Sequence, residues 1–334
     1  MIRPAARIQS IDLIRGIAVA LVMLRHAYPE QFAGAGVVGV VMFFSLSGYL
    51  ITGVLLDEVA RNGGVRFGGF YARRAARLVP ALVVFVAVFA LVTLVFDPLS
   101  DRQVLPRTVL VALTWTADLP FDHGSDAIFH LWTLAVEEQF YLLWPVLLVA
   151  AARARRVGWL FAAASLAALA GCVATLVWLW PHPDLAYALP TSWVGCLLIG
   201  AAARVWRDRL VVRGALGPVA LVVLLAVSVV PLRGHASTYL VWGPVIAALT
   251  AIMLLAWRDW RTVGAPVLRP LVLLGTVSYA AYLWNYPLTL WLRGTTEFAG
   301  LVSIVLTLVA ASASWMLVER PIARLMHSRR AVPA

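Results

Sequence analysis

Apolar residues fill this chain in long blocks, each followed by a short charged connection, and the blocks are long enough to cross a bilayer as helices. The pattern predicts spans near 11–28, 36–55, 79–96, 131–151, 157–180, 185–203, 214–231, 238–257, 271–292 and 299–318. The expected fold is therefore all-α integral membrane, a bundle of about ten transmembrane helices. One segment, 97–130, breaks the rhythm. Val104–Thr116 is apolar but too short to cross, so it reads as an outer re-entrant or interfacial helix.

Charge then orients the pattern. All 27 basic residues are arginine, and most sit in alternate connections: Arg61 through Arg77, Arg153 through Arg156, Arg204 through Arg213, Arg258 through Arg269, and Arg320 through Arg330. The other connections hold few arginines and most of the acidic residues. By the positive-inside rule both termini are expected in the cytoplasm, with 319–334 as a cytoplasmic tail. The net charge of +11 on its own would suggest nucleic acid, but this distribution excludes it as a partner and points to the lipid bilayer.

Composition agrees. The 334 residues are 62% hydrophobic and 13% charged, against about a quarter charged in soluble domains. No cleavable signal is expected, because the first apolar block carries Asp12 and Arg15. The whole of 1–334 reads as one transmembrane domain. Cys172 and Cys196 lie in different spans without metal-type spacing, which predicts buried free thiols and no metal site. A P-loop, a dinucleotide fingerprint and zinc-type spacing are all missing.

Five polar stretches interrupt the apolar blocks. In the first, Asp12, Arg15 and His26 fall within a wedge of about 60° on a helix. Charges within a bilayer cost several kcal/mol unless they face a protein interior or watery cavity. The stripe points to proton chemistry at His26, or more plainly to a histidine at headgroup depth. In the second, Ser45, Ser47 and Gly48 are small enough to admit a neighbouring helix or a ligand. The stretch 61–80 combines glycines 63, 64, 68 and 69 with Arg66, Arg73, Arg74 and Arg77. Its reading as a cytoplasmic loop with forked phosphate donors competes with simple anchoring. In 130–145, His130, Thr133, Glu137 and Tyr141 share a helical face, with Glu138 and Gln139 beside them. Adjacent glutamates there read either as site residues or as a structural ion pair. Near the end, Tyr279, Tyr282 and Tyr286 share a face beside Asn285, where an interfacial aromatic belt is the simpler reading.

Taken in order, I-D-L-I-R-G-I-A-V-A-L-V-M-L-R-H (11–26), F-F-S-L-S-G-Y-L-I (43–51), F-Y-A-R-R-A-A-R-L-V-P (70–80), H-L-W-T-L-A-V-E-E-Q-F-Y-L-L-W-P (130–145), S-Y-A-A-Y-L-W-N-Y-P (278–287) and V-E-R-P (318–321) resemble the membrane-bound acyltransferase-3 family of bacterial O-acyltransferases. The resemblance implies a ten-helix bundle in the inner membrane, moving an acyl group from cytoplasmic acyl-CoA to a hydroxyl at the outer face. Acetyl is the expected group, and a cell-surface glycan or secreted glycoside-type molecule the expected acceptor. It also implies His26 as the essential histidine with Arg15 as its partner, Arg73, Arg74 and Arg77 at the donor, and Glu137 and Glu138 as the acidic motif.

Within that resemblance, Ser45 and Ser47 are expected near the donor, and His130, Tyr141, Tyr279, Tyr282 and Asn285 near the acceptor. No permanently bound cofactor is expected; acyl-CoA is a substrate. Asn285 departs from the histidine common at this motif, and asparagine cannot shuttle a proton near neutral pH. Thr133 replaces a frequent serine. Many relatives carry an extra outer hydrolase-like domain. Without one, the chain would act alone or hand over to a separate extracytoplasmic partner. Two other classes fit the polar stripes less well. A proton-coupled exporter or flippase would not need the arginine–glycine stretch, and a structural membrane subunit would not need the buried charges.

Overall fold

The computed structural model describes residues 8–328. Its helices are α1 (Gln9–Ala27), α2 (Ala35–Asn62), α3 (Phe67–Phe96), α4 (Leu105–Thr114), α5 (Trp132–Arg153), α6 (Val157–Trp178), α7 (Val194–Val205), α8 (Leu216–Val227), α9 (Gly243–Ala256), α10 (Arg269–Thr276), α11 (Ser278–Leu292), α12 (Ala299–Ser314) and α13 (Arg320–Ser328). Short 3₁₀ and π turns join several of them, and no strand occurs among the described residues. Six helical stretches are long and apolar enough to cross a membrane, and α10 with α11 makes a seventh if that broken pair counts as one span.

The expected spans and the observed helices differ in instructive places. α1 has the length of a span, but Asp12, Arg15 and Arg25 interrupt its apolar surface. The expected span 185–203 is broken, because Pro183 and Pro190 start 3₁₀ turns and the helix begins only at Val194. The expected span 271–292 is not continuous either. Val277, at φ −105° and ψ 11°, separates α10 from α11. Arg61 lies within α2, and α3 begins at Phe67. The expected cytoplasmic loop over 61–80 therefore shrinks to a few residues around Gly63, which caps α2 at φ 69°.

The chain divides into two compact units. The first comprises Met1–Gly64 and Thr133–Thr276, the second Val65–Trp132 and Val277–Ala334. In the first unit α2 is enclosed by α1, α7, α8 and α9, and α1 also packs on α10. Glycine sets these contacts. A Cβ on Gly48 would lie 1.9 Å from the Leu197 carbonyl oxygen, and one on Gly200 1.8 Å from that of Ser45, so α2 and α7 touch backbone to backbone. Gly16 against Leu271 and Gly275 against Asp12 do the same for α1 and α10, at 1.9 and 1.8 Å.

Lipid-facing surfaces are equally legible. On α5, Leu142, Leu143, Val146 and Leu147 are exposed, while Phe140, Tyr141, Trp144 and Leu148 are buried. Exposed leucines, valines and phenylalanine likewise crowd the end of α3 at Leu91, Leu94, Val95 and Phe96. Apolar faces of this extent cannot stand in water, whereas a bilayer solvates them. The protein is a multi-pass membrane protein. Cys172 and Cys196 are both buried and unbridged.

In the second unit, segment 97–130 forms a 3₁₀ turn at Arg102–Val104, the ten-residue α4, and a closed loop. Asp97 Oδ1 accepts hydrogen bonds from the backbone N–H groups of Asp101 and Arg102, both at 3.0 Å. Thr108 Oγ1 donates to the Val104 carbonyl at 3.0 Å and accepts from the Ser125 N–H at 2.9 Å. Gly124 is required there, since its φ is 87° and a Cβ would meet Thr108 Oγ1 at 2.4 Å.

Candidate functional site

The first unit carries the polar stripe of α1 and the paired hydroxyl and carboxyl groups of α2 and α5. α1 is one continuous helix, so Asp12, Arg15 and His26 keep their shared face. Asp12 is buried, Arg15 and His26 are half-buried, and His26 stands in the last turn. Glu137 and Glu138 are half-buried near the start of α5, and Tyr141 is buried one turn on. At about 100° per residue Glu137, Tyr141, Trp144 and Leu148 form one row, opposite the lipid-facing leucines. That row turns Glu137 inward.

α2 meets this row at two levels. Ser47 Oγ donates to Glu137 Oε1 at 2.8 Å, and Trp144 Nε1 donates to Thr52 Oγ1 at 2.8 Å. Ser47 and Glu137, expected in different parts of a site, are therefore direct partners. Ser45 differs from its neighbour two residues on. It is fully buried, and its hydroxyl donates to the Ala247 carbonyl of α9 at 3.0 Å. Its role in the structure is to hold α2 against α9.

The second unit holds the arginine motif and the remaining expected residues. Arg73, Arg74 and Arg77 lie in the first half of α3, where Arg73 and Arg74 are half-buried and Arg77 is exposed. His130 is buried in the 3₁₀ turn Asp126–Leu131, with Nε2 3.1 Å from the Leu283 carbonyl oxygen. Its own carbonyl accepts from the Tyr282 hydroxyl at 2.9 Å. The Phe85, Tyr282 and Tyr286 rings surround its imidazole at 5.4 to 6.2 Å between centroids. Tyr279 donates to the Leu78 carbonyl of α3 at 3.0 Å. Asn285 is fully buried and donates from Nδ2 to Thr307 Oγ1 at 3.2 Å, while Thr307 donates onward to the Ser303 carbonyl at 2.7 Å.

Outside the expected spans, segment 97–130 carries the ion pairs Arg102 with Asp97 and, more exposed, Arg107 with Asp122. A hydrogen bond from the Gly124 backbone N–H, and then the Arg107 charge and hydrogen bond, hold the Asp122 carboxyl below the usual carboxylate range. This is a surface clasp on the loop.

Several partners escaped the sequence reading. Thr52 and Trp144 were not singled out, nor was Thr307, because a lone threonine in an apolar helix carries no signal of its own. Gly16, Gly200 and Gly275 also passed unnoticed. The pair Arg204–Asp57, 2.8 Å apart with Arg204 nearly buried, joins α7 to α2. An arginine in a positive-inside connection gives no sign that it will fold back onto a neighbouring helix.

Comparison with known proteins covers nearly the whole chain. A family profile described as an acyltransferase domain matches residues 8–319. The O-acetyltransferase OatA of Staphylococcus aureus is 25% identical over 93% of this chain, and the peptidoglycan O-acetyltransferase OatA of Listeria monocytogenes is 26% identical over 94%. YrhL of Bacillus subtilis is 29% identical, also over 94%. The chain spans 55 to 56% of the length of these relatives. No solved structure matches it. The match runs through both units and every polar stretch described above, so this chain belongs to the acyltransferase-3 family.

Proposed function

We propose that this protein is a membrane O-acyltransferase that carries an acyl group, acetyl by expectation, from cytoplasmic acyl-CoA to a hydroxyl of a cell-surface glycan. The observation that carries the reading is His26: a half-buried imidazole ending a membrane-embedded helix that also holds Asp12 and Arg15, in a chain matched as an acyltransferase domain over 8–319. Similarity to an O-acetyltransferase and a peptidoglycan O-acetyltransferase favours acetyl as the group and a glycan as the acceptor. The arginine-rich connections favour ten membrane crossings with both termini cytoplasmic, α1, α7, α8 and the broken α10–α11 making up the number.

The chemistry follows from the residue types. Arg73, Arg74 and Arg77 hold the donor's phosphates, for which guanidinium forks are well shaped. His26 takes the proton from the acceptor hydroxyl, and that oxygen attacks the thioester carbonyl. Imidazole titrates close enough to neutrality to do this, and a positioned base contributes about 10²–10⁴-fold. Arg15 stabilises the tetrahedral oxyanion. Collapse breaks the carbon–sulfur bond, the ester leaves, and the proton on His26 passes to the departing CoA thiolate. Glu137, held by Ser47, sets the charge of the inward row on α5.

Sealed inside-out vesicles test this reading. With wild-type protein, acyl-labelled acetyl-CoA added outside should yield free CoA and lumenal label together, and both should vanish in His26→Ala. Label transfer that survives in the variant moves the base elsewhere. A stoichiometric burst of free CoA without acceptor would replace direct attack by an acyl-histidine route.

A further inference from the structure

α13 is an amphipathic helix that the proposed reaction leaves without a role. The chain passes from the apolar α12 through a π turn at Trp315–Glu319 directly into Arg320–Ser328. At about 100° per residue Arg320 and Arg324 fall within 40° of each other, and Pro321, Ile322, Leu325 and Met326 occupy the arc beyond them. Both arginines are exposed. The Arg320 guanidinium lies 5.3 Å from the centre of the Trp315 ring, and tryptophan beside arginine at the end of a span is typical of headgroup depth. Protein covers only part of this helix. α13 packs against α3, yet Leu325 remains 62% exposed and Leu317 in the preceding turn 76% exposed.

We infer that α13 lies in the headgroup layer and binds anionic phospholipid, its arginines taking headgroup phosphate while Leu325 enters the acyl boundary. Charge complementarity selects this occupant. Two guanidinium groups one turn apart call for an anion, and the exposed leucine beside Arg324 calls for an amphiphile rather than a free ion. Covalent continuity with α12 already places the helix at the membrane surface, so even a short amphipathic segment can hold there. Arg329 and Arg330 follow directly in the sequence.

The test uses the full chain purified in mixed micelles of phosphatidylglycerol and phosphatidylcholine, with retained lipids identified by native mass spectrometry. Wild-type protein should retain phosphatidylglycerol preferentially, and R320Q/R324Q should lower that preference by roughly tenfold. R207Q/R209Q, with the same loss of charge in another arginine-rich connection, should leave most of it intact. Equal losses in the two double variants, or no loss in the first, would overturn the inference. If R320Q/R324Q fails to fold, Leu325→Glu decides at a largely exposed position. Loss of the preference supports lipid binding by α13, and retention refutes it.

Discussion

Glu137 in the first unit and His130 and Asn285 in the second hold their polar groups in different ways. In the first, Glu137 is half-buried and bonded to another side chain, Ser47, across two helices. In the second, His130 and Asn285 are fully enclosed, and the bonds around them end mostly on backbone carbonyls: Tyr282 on His130, His130 on Leu283, Thr307 on Ser303. A side chain closed into backbone bonds is a clasp, because moving it leaves a buried carbonyl without a donor. A half-open carboxylate bonded to a side-chain hydroxyl can change partner or proton during a reaction. The motif at 278–287 is thus built into the packing of α11, whereas the stripe of α1 and the row of α5 keep polar atoms at a partly accessible surface.

Substitutions should separate the two regions by kind of effect. The largest expected change is in catalysis. His26→Ala should lower acyl transfer by about 10²–10⁴-fold while thermal unfolding in detergent stays close to wild type. A large fall in stability instead would make His26 a clasp and dissolve the contrast. Next comes packing. Gly48→Val has no room against Leu197, so unfolding should shift by about 1–3 kcal/mol or more, whatever the activity per folded molecule.

Asn285→Ala should cost about 1–3 kcal/mol of stability, through loss of its buried partner on Thr307, and should leave the acceptor KM of the folded protein unchanged. A raised KM at unchanged stability would return Asn285 to the acceptor site. Ser47→Ala should act more gently, lowering acyl transfer by about tenfold through loss of its bond to Glu137, and Ser47→Thr should restore it. An unchanged rate in Ser47→Ala would leave the Ser47–Glu137 bond outside the chemistry.

The smallest effect lies at the exposed Arg107–Asp122 pair. The folded carboxyl is held below its ordinary value, so its contribution is present above the unfolded pKa of about 3.9 and is lost as pH falls through the lowered folded value. Hydrogen exchange in the loop before Ser125 should rise in that acid window in wild type and be insensitive to it in Asp122→Asn.

How much of this was legible beforehand differs by kind of feature. Helix type and membrane location follow from the apolar blocks, since no soluble core needs exposed rows such as Leu142, Leu143, Val146 and Leu147. The candidate side chains were legible too, because ionisable groups in an apolar segment need a reason to be there. Helix boundaries were less so. Composition cannot show that Val277 breaks a span, or that α3 starts before its arginines, because helix ends depend on backbone partners and not on hydropathy alone.

What the sequence determined by itself is the class of the molecule, the family motifs and the residues able to carry proton or phosphate chemistry, all properties of single side chains and their spacing. The tertiary structure alone decided what each of them touches. Ser45 and Ser47 stand two residues apart with the same hydroxyl, yet one is sealed against the Ala247 carbonyl of α9 and the other faces Glu137 on α5. Two positions along a helix are about 200° apart in direction, and the neighbour each one meets is set by how the helices pack.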